Sequence, residues 1–109
     1  MELQPLQIKE AVGGVIKMEA VDNGGTAIIQ KWLNVHPNDE GVVSINGNNV
    51  GEFLVGQALQ FPLEVSIPKK VFLDHSGQGP VKFIYTVFGG SDGNPYPSLP
   101  VSYSIELAL

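Results

Sequence analysis

The stretch LPVSYSIELAL, residues 99–109, decides the fold class. Leu99, Val101, Tyr103, Ile105, Leu107 and Leu109 share one parity, and Pro100, Ser102, Ser104, Glu106 and Ala108 share the other. In an extended chain successive side chains point to opposite faces, so this period of two turns one apolar face toward a core. FPLEVSI (61–67) repeats it, with Phe61, Leu63, Val65 and Ile67 set against Pro62, Glu64 and Ser66. In PVKFIYTVF (80–88), Val81, Phe83, Tyr85 and Val87 form one face, with Lys82 and Thr86 on the other. That richer apolar content predicts a central strand.

The pattern continues toward the N-terminus. LQIKE (6–10) opposes Leu6 and Ile8 to Gln7 and Lys9, and GVIKMEA (14–20) opposes Ile16, Met18 and Ala20 to Val15, Lys17 and Glu19. GTAIIQKWL (25–33), VVSIN (42–46) and VGEFLVGQ (50–57) are rich in β-formers. Turn residues separate these runs: Gly13-Gly14, Asp22-Asn23-Gly24-Gly25, His36-Pro37-Asn38-Asp39, Asn46-Gly47-Asn48-Asn49, residues 76–80 and residues 89–97. Asn46-Gly47 is a tight-turn signal, because both residues tolerate positive φ. No window keeps helical spacing long enough for a helix; FLVGQALQ (53–60) comes nearest, with Gly56 inside it. The reading is a single all-β domain over residues 1–109, a β-sandwich of two antiparallel sheets with about 7–9 strands and Greek-key connections.

Composition narrows the partners. The 109 residues carry a net charge of −5, six lysines and no arginine. Nucleic-acid binding draws its affinity from neutralised phosphates, and planar anions are gripped best by arginine; both ligand classes are disfavoured. Without cysteine there is no disulfide and no zinc–thiolate site. No apolar run approaches the ~20 residues that cross a bilayer, so no membrane insertion is expected. MELQPLQIKE (1–10) lacks the basic and apolar regions of a secretion signal, so the chain reads as either cytosolic or a piece of something larger.

The ordered set of motifs resembles a known family. It comprises Ile8-x-Glu10-Ala11-x-Gly13-Gly14, Gly25-Thr26-x-Ile28 and Asn38-Asp39-x-x-Val42-x-x-x-x-Gly47. The strand end Val65-x-Ile67-Pro68, then Gly79-Pro80-Val81-x-Phe83-x-Tyr85-x-Val87 and a serine-bearing last strand complete it. Together they are similar to the immunoglobulin-like domains repeated in very large bacterial surface and adhesin-type proteins. Where that family usually has an aromatic after its Asp-centred turn, this chain has Val43 and Ser44. The resemblance implies an immunoglobulin-like sandwich at the cell surface or outside it. It further implies a spacer or display module, built in tandem with neighbouring domains of the same polypeptide, without catalysis and without a cofactor.

Gly89-Gly90-Ser91-Asp92-Gly93 matches the G-x-S-x-G of a hydrolase nucleophile. A nucleophile elbow needs a strand entering and a helix leaving. After Gly93 comes Asn94-Pro95-Tyr96-Pro97, whose alternating prolines cannot begin a regular helix. The two histidines, His36 and His75, both precede the serine, whereas the elbow order places the base after it. Residues 89–97 therefore read as a hairpin loop, and catalysis at Ser91 stands only as a remote alternative.

The remaining candidates are weighed similarly. Asp22, Asp39, Glu40, Asp74 and Asp92 fall in predicted loops but lack the D-x-D-x-D-G spacing of a calcium loop, so they read as solvated turn residues. The histidines read as turn residues too, since two of them without cysteine do not complete a zinc site. Trp32 and most phenylalanines read as core, and Tyr85 as a tyrosine-corner-like tether to a loop. Lys69-Lys70 after Pro68 reads as a guard against edge-to-edge pairing. Tyr96, between two prolines, is the best-placed exposed ring. A recognition role would fall to Asn48, Asn49, Asp92, Asn94 and Tyr96 in loops at one end of the sandwich, with a glycan or a protein as ligand.

Overall fold

The computed structural model describes residues 3–33, 35–56, 60–89 and 94–106. Among them nine strands form two sheets packed face to face. The smaller sheet has the order β1 (Gln7–Ile8), β3 (Gly25–Ile29), β6 (Leu63–Ile67), all antiparallel. The larger has the order β2 (Val15–Lys17), β9 (Val101–Glu106), β7 (Pro80–Phe88), β4 (Glu40–Ile45), β5 (Asn48–Leu54). A short β8 (Pro95–Pro97) also pairs with β7. The chain changes sheet after β1, β2, β3, β5 and β6.

The larger sheet departs from the expected antiparallel pattern at one edge, where β2 runs parallel to β9 with Ile16 beside Ile105. The cause is that the N-terminal segment serves both sheets. After pairing with β3 it turns through Gly13 and Gly14, both at positive φ, and continues along the last strand.

The period of two settles the core. Val81, Phe83, Tyr85 and Val87 of β7 are buried, as are Val65 and Ile67 of β6 and Tyr103 and Ile105 of β9. Each large side chain so buried contributes roughly 1.5–3 kcal/mol relative to exposure. The rings of Phe83 and Tyr103 meet edge to face at 5.5 Å. Asn46 (φ 49°) and Gly47 (φ 88°) make the β4–β5 reversal, as that dipeptide predicts.

Three expectations need correction. First, a helix is present: α1 (Lys69–Asp74) carries the chain from β6 toward β7. Six residues are too few to leave a periodic signal. Phe72 is fully buried, and its ring lies against Gly25, where a Cβ would come within 2.5 Å of Phe72 Cζ. Lys69 and Lys70 stand in the first turn of this helix, just past the end of edge strand β6, paired with Asp22 (2.7 Å) and Asp74 (2.9 Å). Second, strand β2 stops at Lys17, and a 3₁₀ turn over Met18–Val21 follows. Met18 and Val21 are buried and Ala20 is exposed, because a three-residue repeat replaces the period of two. Third, β3 ends at Ile29, so Trp32 is buried beyond the strand, edge-on to Phe61 at 5.3 Å.

Candidate functional site

The strand register decides whether the candidate loop residues meet. Ile45 pairs with Phe83 and Glu40 with Phe88, and the backbone of Asn46 bonds to Lys82. Asn48 and Asn49 therefore lie at the Lys82 end of β7. The β7–β8 hairpin lies beyond Phe88. Six residues of strand separate the two positions, roughly 20 Å at the usual rise. The two loops thus occupy opposite ends of the larger sheet, and the single-ended site expected from the sequence is not assembled. One reversal of a hairpin carries β4 to β5, but it takes the whole length of β7 to reach the other loop.

The hairpin reading of residues 89–97 holds where the chain is described. Thr86, Val87 and Phe88 pair with Pro97, Tyr96 and Pro95, and the Gly89 amide donates to the Asn94 carbonyl at 3.4 Å. The segment leaving the loop is strand β8. Ser91 and Asp92 lie outside the described residues. Asn94 is exposed, whereas Tyr96 is half-buried and packs on the core rather than standing free.

Ser98 joins β8 to β9. Its hydroxyl accepts from the Tyr85 amide at 3.0 Å and donates to the Leu99 carbonyl at 3.0 Å. Burial pushes the Tyr85 phenol above its ordinary value. The tyrosine whose hydroxyl ties distant strands is Tyr103, not Tyr85: it accepts from the Ile8 amide at 3.2 Å.

Among the described acidic turn residues, Asp39 is the one that is buried, at 3% exposure. Its carboxylate accepts from Trp32 Nε1 at 3.3 Å and from the His36 amide at 2.9 Å. Its turn position gave no hint of this, although a tryptophan N–H buried nearby requires an acceptor. Asp22 is exposed, and its hydrogen bond and charge pairing with Lys69 hold its carboxyl below the usual value. His36 is exposed, and His75 Nδ1 lies 2.8 Å from the Val71 carbonyl at the end of α1. Among the described residues, no three histidine or carboxylate side chains gather as metal ligands, and no helix is long and apolar enough to cross a membrane.

A surface depression lies on the outer face of the larger sheet, at the end where the β7–β8 hairpin begins. It is a groove of about 600 Å³. The outward parity of three adjacent strands supplies its walls: Glu40 and Val42 of β4, Glu52 and Leu54 of β5, and Phe88 of β7. The backbones of Gly41 and Phe53 form its floor. Register places Leu54, Glu40 and Phe88 in one row and Glu52, Val42 and Thr86 in the next. Leu54 is 70% exposed.

No family model matches the chain, and comparison with curated proteins and with solved structures finds no match either.

Proposed function

We propose that this chain is an immunoglobulin-like sandwich acting as a non-catalytic spacer module of a bacterial surface or secreted repeat protein. It holds neighbouring domains of the same polypeptide apart. The observation that carries the reading is where the chain enters and leaves. Leu3 bridges Ser98 in parallel, and β2 runs parallel to the end of β9. The N-terminal segment and the last strand therefore run side by side in one direction. From the level of Ser98 to Glu106 is roughly 26 Å of strand, within a body 47 Å long.

Tension applied through the two ends pulls these parallel neighbours in opposite senses. Their hydrogen bonds are then loaded together in shear, not opened one by one. The strand orders β1-β3-β6 and β2-β9-β7-β4-β5 support the immunoglobulin-like reading, since most neighbours in both sheets are not consecutive in sequence and the chain crosses repeatedly from one sheet to the other, as in such Greek-key sandwiches.

Three linked copies test the proposal. Small-angle scattering should show a rod that lengthens with each copy by close to the 47 Å long axis. Force spectroscopy should show one resolved unfolding event per copy. A collapsed cluster of modules, or unfolding without a resolvable force peak, would overturn the reading.

A further inference from the structure

The open edge of the larger sheet has a chemistry of its own, which the spacer role does not require. Strand β5 is that edge: among the described residues it bonds to β4 alone. The Val55 amide donates to the Asp39 carbonyl at 3.0 Å. Bonded pairs alternate along an antiparallel ladder, so Gly41/Phe53 and Val43/Gly51 are bonded as well. The N–H and C=O groups of Glu52 and Leu54 then point away from β4, toward the open side. The side chains of these same two residues stand on the outer face, in the groove with Glu40, Val42 and Phe88.

We propose that β5 accepts an added strand from a basic partner: an extended peptide that carries an apolar residue and, two positions along on the same face, lysine or arginine. The backbone of Glu52 and Leu54 supplies up to four hydrogen bonds to such a strand, the mode known as β-augmentation. The rows fix the side chains. An apolar residue lies opposite Leu54 and extends the row Leu54–Glu40–Phe88. Two residues along, a cation lies opposite Glu52 and within reach of Glu40.

Charge selects this occupant over a second copy of the chain. Of the other edges, β1 is only two residues long, and the remaining two are acidic: Glu64 lies on β6, and Glu10, Glu19 and Glu106 line the groove beside β2, where Lys17 is the lone cation. Pairing β5 with either acidic edge, or with a second β5, brings carboxylates together, and like charges directly opposite are destabilising. The same carboxylates that block self-pairing are the recognition element for a basic strand.

The test uses the 109-residue chain, labelled with nitrogen-15, and two capped synthetic hexapeptides: a lysine–valine peptide, Thr-Val-Thr-Lys-Thr-Val, whose valines and lysine share one face, and a glutamate–valine peptide with glutamate in place of the lysine. At millimolar lysine–valine peptide, amide exchange should slow at Glu52 and Leu54, and shift changes should centre on β5 and β4. The glutamate–valine peptide should leave both unchanged. The double variant E40K/E52K, altered only at exposed positions, should bind the lysine–valine peptide roughly tenfold more weakly and gain binding to the glutamate–valine peptide. No slowing at the two amides would overturn the proposal. So would unchanged binding in the double variant, or protection of those amides in the free protein through self-association. None of these results bears on how linked copies extend.

Discussion

The Tyr103 hydroxyl, on the last strand of the larger sheet, accepts a hydrogen bond from the Ile8 amide on the edge strand of the smaller sheet, 95 positions earlier in the chain. This bond holds the first strand onto the sandwich. Strand β1 is two residues long and pairs only with β3 among the described strands, so the Ile8 amide would otherwise be a buried donor without an acceptor. Tyr103→Phe keeps the edge-to-face contact with Phe83 and removes only the acceptor. We expect a loss of about 1–3 kcal/mol, the cost of stranding a buried polar group. Urea denaturation measures it, with faster amide exchange over residues 6–9 as the local sign.

Asp39 organises the turn ahead of β4. With its carboxylate gone, the indole N–H of Trp32, in a residue 6% exposed, loses its acceptor. Asp39→Ala should therefore cost about 2–4 kcal/mol, since a charge-assisted bond is lost and a buried donor is left unpaired. As Trp32 is the only tryptophan, its fluorescence reports the change directly. We expect the emission to move to longer wavelength at a urea concentration where the parent protein is still folded.

Gly41 is enclosed on both sides. A Cβ there would overlap the Phe53 ring and the Thr86 carbonyl oxygen. The carbonyl belongs to a central strand and cannot yield as a flexible side chain would. Gly41→Ala should destabilise the domain by about 1–3 kcal/mol, the usual range for overpacking. The expected signature is a lower urea midpoint with the slope of the transition unchanged.

Tyr85 sets an alkaline limit. Burial raises its pKa in the folded state above the ordinary value of 10.0. The neutral phenol is thus favoured by folding. The associated stability is complete below the unfolded-state value and is lost as pH climbs through the folded-state value. Absorbance titration should show a phenol that ionises late, together with unfolding. In Tyr85→Phe that late component should vanish.

Much of this architecture is legible in the residues alone. Alternation depends on nothing but the geometry of an extended chain, so LEVSI, PVKFIYTVF and VSYSIE disclose both their strands and their buried faces. Asn46-Gly47 discloses its turn because few residues accept positive φ. Short helical segments are different: α1 and the 3₁₀ turn at Met18 hold too few residues for a period to emerge, and they exist because Phe72 and Val21 have a cavity to fill against Gly25.

What only the tertiary structure decided is which strands became neighbours. Nothing local in the sequence says that Asn48 and Tyr96 lie at opposite ends of one sheet, that β2 aligns parallel with β9, or that Glu40, Glu52 and Leu54 share a face. Those relations follow from register, set between residues tens of positions apart by how the two apolar faces fit together. A strand's own residues choose the side it buries, and its partners choose where it stands.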